Sequence, residues 1–292
     1  MNDAPILRTV GLGKRYADFW GRARVTALAD LNLEVRPGEV FGLLGPNGSG
    51  KTTTIKLLLG LLRPSTGDAF VFGRDPSDRE VKRRIGYLPE ETYLYRFLNA
   101  DETLAFFGRI FGLEATVIRE RSEKLIQRVG LAQARRRRLG EYSKGMARRL
   151  GLAQALINDP DLVILDEPTS GLDPIGSAEV KELIVELKRA GKTVLLCSHL
   201  LADVEDVCDR IAVLHQGKLL ECGTVEELLR DDRRVMVELE EPGEAVLAGV
   251  RAAAGDRLRS IAPPRERLEA RFRRIIAAAD GRGPGQPPAS EA

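Results

Sequence analysis

Four short runs of the chain are apolar at every position and are bounded by glycine, proline or charged residues. They read VFGLL, LVIL, TVLLC and IAVL, at residues 40–44, 162–165, 193–197 and 211–214. Runs of this length are typical of strands that are buried on both faces of a parallel sheet. Between them, apolar residues recur at helical spacing, as at Val180, Leu183, Ile184 and Leu187, and Gly191 follows where a C-terminal cap belongs. The pattern predicts an α/β core.

Two regions depart from this alternation. The segments LNLEV (31–35) and DAFVF (68–72) predict antiparallel strands that flank the core. Residues from about 99 to 139 are mostly helical in pattern, and we interpret them as the centre of an inserted helical lobe at about 92–150.

After about residue 230 the pattern changes, so we place the main domain at 1–230. RVMVELE alternates with Val235, Val237 and Leu239 on one face, which predicts a strand. An apolar helical stripe follows, formed by Leu268, Phe272, Ile275 and Ile276. We therefore expect a small α+β domain at 231–279. The last residues, 280–292, are so rich in glycine and proline that we expect them to be disordered.

Charge and cysteine content exclude several classes of protein. The 45 basic and 43 acidic residues give a formal net charge of +2, so charge alone gives no reason to expect a nucleic-acid partner. The run RRRR at 135–138 is interpreted as a solvated face. Three cysteines without a C-x-x-C pair argue against a disulfide framework or a zinc site. No apolar run approaches the roughly 20 residues that span a bilayer, so any membrane spans would come from another polypeptide.

The segment GPNGSGKT, at residues 45–52, matches the phosphate-loop pattern G-x-x-x-x-G-K-[ST] at every fixed position. A predicted strand precedes it and the helical TTTIKLLLGLL follows, which is the context that the motif requires. Its glycines let the backbone fold closely around phosphate oxygens, Lys51 reaches the β- and γ-phosphates, and the Thr52 hydroxyl can ligate Mg²⁺. The predicted nucleotide-binding residues here are Gly45, Pro46, Asn47, Gly48, Ser49, Gly50, Lys51, Thr52 and Thr53.

The segment LVILDEP, at residues 162–168, supplies two adjacent carboxylates at the end of a buried strand. Asp166 stands where a carboxylate usually holds Mg²⁺ through water. Glu167 is predicted to polarise the attacking water, and Lys51 and Glu167 are both candidate catalytic residues. The sequence to this point predicts a Mg²⁺-dependent nucleoside triphosphatase.

The segment YSKGM (142–146), followed by ARRLGLAQAL, resembles the LSGGQ signature of the ATP-binding subunits of ABC transporters. Ser143 and Gly145 match the commonest form, and the YSKGM spelling is similar to that of ABC-2-type exporters. Further landmarks of the family occur in order over residues 5–228. They are GKRYADF with Tyr16, IGYLPEE (85–91), SGLD (170–173) and LLCSHL with His199.

The resemblance assigns roles to individual residues. Tyr16 would stack on the adenine of ATP, with Phe19 and Trp20 as competing candidates. His199 would contact the γ-phosphate as a third catalytic residue. Ser143, Gly145 and Asp173 would bind nucleotide. Glu90 occupies the place of the family's usual glutamine and would join Thr52 and Asp166 as a metal ligand.

The resemblance also implies the architecture and the biological role. The expected fold is α/β: a phosphate-loop NTPase core with a mostly parallel sheet, an antiparallel β subdomain, an inserted α-helical subdomain and a small C-terminal α+β appendage. The chain would bind and hydrolyse ATP at the cytoplasmic side of the cell membrane and power export by a separate membrane-spanning permease. Two copies would sandwich ATP in a homodimer. Tyr93, Tyr95 and Phe97 are candidates for the permease contact, with burial inside the lobe as the equal alternative.

Two other functions compete with this prediction. ABC-type ATPases also act on nucleic acid or ribosomes without a transporter, but this chain lacks the long coiled coil or the second ATPase unit of those types. A phosphate-loop kinase or GTPase would leave YSKGM, SGLD and His199 without a role.

Overall fold

A computed structural model describes residues 4–17, 23–230, 239, 243–255 and 258. The chain divides between Leu228 and Leu229 into two compact units. Several predicted features lie outside the described residues: the RVMVELE strand apart from Leu239, the apolar stripe at 268–276, the tail at 280–292, and the adenine candidates Phe19 and Trp20.

The described residues contain nine strands. They are β1 (Leu7–Ala17), β2 (Ala23–Val35), β3 (Val40–Leu44), β4 (Thr66–Val71), β5 (Ile85–Leu88), β6 (Leu162–Asp166), β7 (Thr193–Ser198), β8 (Arg210–His215) and β9 (Lys218–Thr224). The main sheet has the order β5-β6-β7-β3-β8-β9, and only β9 runs antiparallel to its neighbour. β2, β1 and β4 form a separate antiparallel sheet. All four fully apolar runs are strands of the main sheet, as predicted.

The described helices are α1 (Lys51–Leu58), α2 (Arg79–Arg83), α3 (Ala100–Ile110), α4 (Ala115–Arg128), α5 (Lys144–Leu156), α6 (Pro174–Arg189), α7 (Leu201–Val207), α8 (Val225–Leu229) and α9 (Glu244–Ala254). A short 3-10 helix covers Leu139–Glu141. Helix α9 belongs to the second unit. Within the described ranges, no helix combines the length and apolar character needed to cross a bilayer.

Strand β3 shows why its run has no polar position. Phe41 and Leu43 pack on one face, in the cluster that also holds Ile55 of α1. Val40 and Leu44 pack on the other face, in a second cluster with the apolar side of α6 and α7. Because both faces of the sheet are covered, alternation is absent and the segment between two layers is apolar throughout.

The helical lobe has its own core, to which α3, α4 and α5 contribute. Helix α3 begins with a capping box, in which Asn99 and Glu102 satisfy each other's backbone N–H groups. The RRRR run is less uniform than its predicted solvated face. Arg135 donates to Asp101 at 2.7 Å and to Glu123 at 2.6 Å, so it joins helices of the lobe, whereas Arg136 is exposed.

Helix α5 packs directly on strand β5 through glycine. A Cβ at Gly86 of β5 would lie 2.1 Å from the carbonyl oxygen of Ala155. A Cβ at Gly151 of α5 would lie 2.6 Å from Cγ2 of Thr92 and 2.9 Å from Cδ1 of Leu88. All three distances are shorter than real Cβ contacts. At Gly86 the obstructing atom belongs to the backbone, so glycine is required there for the helix to approach the strand this closely, whereas at Gly151 a side chain would force Thr92 and Leu88 to shift.

Candidate active site

The phosphate loop connects β3 to α1 and contains three glycines with positive φ. A Cβ at Gly45 would lie 2.2 Å from the Leu214 carbonyl oxygen, and one at Gly50 would lie 2.7 Å from the Ala27 carbonyl oxygen. These two glycines therefore make room for the protein itself, which refines the expectation that every glycine makes room for phosphate. Only at Gly48 would a Cβ meet nothing within 4 Å, so this position borders open space.

Lys51 lies at the first position of α1 and is largely buried. Its ammonium group donates to the carbonyl oxygens of Gly45 at 2.6 Å and Pro46 at 3.3 Å, so the side chain lies across the loop that it follows. The Ser49 hydroxyl is buried without a hydrogen-bond partner among the described residues. Thr52 is exposed. A loop with free backbone donors at a helix start, a lysine beside it and an unsatisfied buried hydroxyl fits a bound phosphate chain.

Strand order brings the chemistry together. β6, β7 and β3 are neighbours in the sheet and run parallel, so their carboxyl ends meet at one edge. Asp166 ends β6, the phosphate loop follows β3, and His199 follows β7. Ligands of α/β sheets bind at this edge, where the chain order of the strands reverses.

Asp166 is only 2% exposed. The pKa of its carboxyl group is raised to about 6, mainly by burial and also by the charges of Glu90 and Glu167, and the charges of Arg148 and Lys51 partly oppose this rise. A carboxylate that burial destabilises gains from any cation that binds beside it. Glu90 is exposed and follows β5, the neighbour of β6. The described residues contain no cluster of three or more His, Cys, Asp or Glu arranged to hold a metal. The predicted set of Thr52, Glu90 and Asp166 consists of oxygen ligands, which Mg²⁺ prefers.

An Asp166→Asn variant should be more stable than the wild type in chelator at pH 7.5. The native pKa of about 6 exceeds the ordinary aspartate value of 3.8, so the free energy of unfolding falls as pH rises through this window and remains lower above it. At about 1.4 kcal/mol per pKa unit, the expected gain is about 2–3 kcal/mol at pH 7.5, and it should shrink toward pH 5. Urea unfolding measures it. The exposed Asp68→Asn is the control, and equal stabilities of Asp166→Asn and wild type at pH 7.5 would contradict the expectation.

Glu167 and His199 are in direct contact. The His199 Nδ1 lies 2.8 Å from Glu167 Oε2, and the Glu167 side chain is far more buried than the histidine. A carboxylate oxygen accepts, so the histidine donates from Nδ1 and leaves Nε2 free. Glu167 has φ of 52°, in the left-handed region that side chains other than glycine rarely adopt. Its N–H donates to the Cys197 carbonyl at 2.8 Å, which holds this strained backbone against β7.

Tyr16 lies on β1 with its ring partly exposed, and the Lys14 ammonium lies 5.6 Å from the ring centroid. Tyr16 is paired with Val25 on β2, and Leu28 of β2 lies near Gly50 of the phosphate loop. The antiparallel sheet therefore places this aromatic ring on the strand pair that contacts the phosphate loop.

The YSKGM and SGLD segments each begin a helix. Ser143 caps α5 by accepting from the Met146 N–H at 3.2 Å, and Asp173 caps α6 by accepting from the Gly176 N–H at 2.7 Å. The Lys144 side chain lies against Gly171, since a Cβ at Gly171 would be 2.9 Å from Lys144 Cε. Within the described residues, no hydrogen bond or ion pair joins YSKGM to the phosphate loop. The YSKGM segment therefore contacts the SGLD segment and makes no such bond to the phosphate loop of its own chain.

Arg148 is a site residue that the sequence did not reveal. Its guanidinium is buried at the junction of the Glu90 loop and the Asp166–Glu167 turn. The sequence held one signal: Arg148 shares a helix face with Gly151, Leu152 and Ala155, which is otherwise small or apolar.

The fold and the site together define a phosphate-loop nucleoside triphosphatase. The sequence profile of the ABC transporter family matches residues 28–170. The chain is 48% identical over 231 residues to an uncharacterized ABC transporter ATP-binding protein of Nostoc, covering 78% of this chain and 69% of the relative. It is 41% identical over 238 residues to a fluoroquinolones export ATP-binding protein of Mycobacterium tuberculosis, covering 80% and 76% of the two chains.

Among solved structures, cbiO1 of Clostridium perfringens, part of the ABC transporter complex cbiONQ, superposes with a TM-score of 0.68 and 28% identity. The superposition covers 77% of this chain and 91% of that one. The chain belongs to the ABC transporter family and is one of its ATP-binding, ATP-hydrolysing subunits. The predicted family, fold class and ATPase activity are thereby confirmed.

Proposed function

We propose that this ATPase drives export through a separate membrane-spanning permease, at the cytoplasmic side of the membrane, with two copies sandwiching ATP and Mg²⁺. The observation that carries the hydrolytic part is the contact between Glu167 and His199 beside Asp166, at the sheet edge where the phosphate loop begins. Export is supported by the YSKGM spelling and by the 41% identity to the fluoroquinolones export ATP-binding protein of Mycobacterium tuberculosis.

The proposed roles follow from the geometry of the chain's own groups. Glu167 orients and polarises the attacking water, and its contact with His199 fixes the carboxylate in place. The free Nε2 of His199 is available to the γ-phosphate. Lys51 would offset negative charge on the β- and γ-phosphates, and Thr52, Asp166 and Glu90 would hold the metal ion. Mg²⁺ supplies neutralisation of the phosphate charge when bound with ATP.

The signature segment supports a site that is shared between copies. Ser143 and Gly145 stand at the start of α5, where backbone donors and the helix dipole favour an anion. A Cβ at Gly145 would lie 3.3 Å from Leu172 Cδ2 of the SGLD turn, and among the described residues neither Ser143 nor Gly145 makes a hydrogen bond to the phosphate loop of the same chain. We infer that they complete the site of a second copy, where ATP stabilises the closed dimer by binding it more tightly than the open state.

The helical lobe offers an aromatic surface for the permease. Tyr93 is 82% exposed, Phe97 is 69% exposed, and Tyr95 between them contacts Phe97 and Phe106 through ring centroids at 5.8 and 5.6 Å. Exposed clustered aromatic residues mark interaction sites more often than free surface. This exposure favours permease contact over burial within the lobe. The lobe helices α3 and α4 have 11 and 14 residues, which gives no support to the coiled-coil type that acts on nucleic acid.

Copurification tests the transport proposal. The tagged chain, extracted from membranes in mild detergent, should carry a membrane-spanning protein, and the Tyr93→Ala/Phe97→Ala double variant should carry several-fold less because its aromatic contact area is gone. Leu220→Ala, at an exposed apolar residue of β9, is the matched control. Retention of the membrane protein by the double variant would contradict the docking surface. Isolation of a ribosome or nucleic acid instead would favour the competing function.

A further inference from the structure

Arg148 lies in the second turn of α5, and only 4% of its surface is exposed. Fully buried arginines are rare because a charge without partners is costly to remove from water. This guanidinium is satisfied almost entirely by backbone carbonyl oxygens, and those carbonyls belong to two separate loops.

The first loop follows β5 and carries Glu90. Arg148 Nη1 donates to the carbonyl oxygens of Glu90, at 2.8 Å, and of Pro89. The same nitrogen lies 3.3 Å from the Thr92 hydroxyl. One branch of the fork thus holds the backbone of the loop that bears a proposed metal ligand.

The second loop is the turn after β6. Arg148 Nη2 donates to the carbonyl oxygens of Glu167, at 2.7 Å, and of Asp166. Nε donates to the carbonyl oxygen of Pro168 at 3.3 Å. The other branch thus holds the turn that bears the proposed metal ligand and the proposed base, including the strained backbone of Glu167.

Charge and packing reinforce this arrangement. Burial lowers the pKa of Arg148, and the carboxylates of Asp166, Glu167 and Glu90 raise it in opposition. The guanidinium therefore places a positive charge among these three carboxylates. Three residues further along the same helix face, the close approach of Gly151 to Thr92 keeps α5 against the Glu90 loop. A fork held this closely cannot move without moving both loops.

We propose that Arg148 is a positioning residue for ATP hydrolysis, which sets the Glu90 loop and the Asp166–Glu167 turn in one arrangement fixed by the position of α5. Ser143 caps α5, the helix that carries Arg148. When the signature segment docks on a second copy, a displacement of α5 is therefore transmitted through the Arg148 side chain to the carboxylates of its own chain. The inference rests on the hydrolytic roles proposed above for Glu90, Asp166 and Glu167.

The first test compares Arg148→Gln with Arg149→Gln in the full chain. Arg149 is the neighbour on α5, but it contacts Val129 at 3.4 Å and Glu179 at 3.6 Å, away from both loops. Arg148→Gln should lower kcat about ten- to hundredfold, since small misplacements of reacting groups have effects of this size. KM, and the affinity for a fluorescent ATP analogue in chelator, should change less than about threefold, because Arg148 does not contact the phosphate loop or Tyr16. Equal losses in both variants, or normal kcat in Arg148→Gln, would overturn the proposal.

A second comparison separates geometry from charge. Arg148→Lys keeps the charge, but a single ammonium cannot span two loops, so this variant should remain impaired. Hydrogen exchange should become faster in both residues 87–93 and residues 164–170, and stay unchanged at 40–50. Full recovery with lysine, or unchanged exchange in the two loops, would refute the positioning role. Should Arg148→Gln not fold, as judged by circular dichroism, the lysine variant carries both readouts.

A comparison with Glu167→Gln distinguishes failure of the Arg148 proposal from failure of the proposed function. If Glu167→Gln hydrolyses ATP normally, the assignment of the base is wrong. If Glu167→Gln is inactive while Arg148→Gln is normal, only the positioning role is wrong.

Discussion

Glu167→Gln is expected to bind ATP but to hydrolyse it about 10²- to 10⁴-fold more slowly than the wild type. Glutamine keeps the shape of the side chain and can still contact His199, which lies 2.8 Å from Oε2. It cannot polarise water as a carboxylate does. The left-handed backbone at residue 167 is held by its N–H bond to Cys197 and by the bond from Arg148 to its carbonyl oxygen, both of which the substitution leaves in place, so the turn should be preserved.

Light scattering after size-exclusion chromatography measures the second part of this prediction. With ATP and Mg²⁺, Glu167→Gln should persist as a dimer, because the step that releases the closed state is slow. Glu186→Gln, at a glutamate of α6 that pairs with Arg128, is the control and should behave as wild type. A Glu167→Gln chain that stays monomeric with ATP would argue against the shared site.

Ser143→Arg is expected to abolish turnover while leaving nucleotide binding to the isolated chain nearly intact. The hydroxyl is the N-cap of α5, and a capping bond contributes about 1 kcal/mol. Ser143→Ala therefore controls for the lost cap, since it removes the bond without adding bulk or charge. A large effect of arginine with a small effect of alanine would locate the defect at the surface that faces the second copy. Loss of nucleotide binding would place the signature in the site of its own chain.

Mixing two inactive variants gives a sharper version of this test. Ser143→Arg retains an intact phosphate loop, and Lys51→Ala retains an intact signature segment. In a mixed dimer, one shared site combines the two intact halves, so activity should appear that neither variant shows alone. If each chain completed its own site, no mixture would contain an intact one, and the mixture would stay inactive.

The sequence predicted most of the fold because the relevant patterns are local. The run LVIL and its three counterparts are apolar throughout since both faces of the main sheet are covered. Gly191 has φ of 77° directly after α6, as a C-terminal cap requires. The phosphate loop could be predicted for the same reason, because its strand, glycines and lysine are consecutive in the sequence.

Contacts between segments that are distant in sequence could not be predicted from such local patterns. Arg148 received no role from the ARRLGLAQAL pattern, because its contacts are with two loops that are distant in sequence, at residues 89–92 and 166–168. The contact between Lys144 and Gly171 likewise joins two segments that are far apart in sequence. Prediction of the contact between Glu167 and His199 also required the strand order, because the sequence between residues 167 and 199 does not indicate that β6 and β7 are neighbours.

The contact between Gly86 and Ala155 has a mechanical consequence. Helix and strand meet there backbone to backbone, with no side chain between them. Side chains can absorb a displacement by changing rotamer, but peptide groups have no such freedom. The junction between β5 and α5 is therefore stiff under sliding. A displacement of the loop after β5 is therefore transmitted to α5 as a whole and is not absorbed by rearranged side chains. The opposite end of this helix is capped by Ser143.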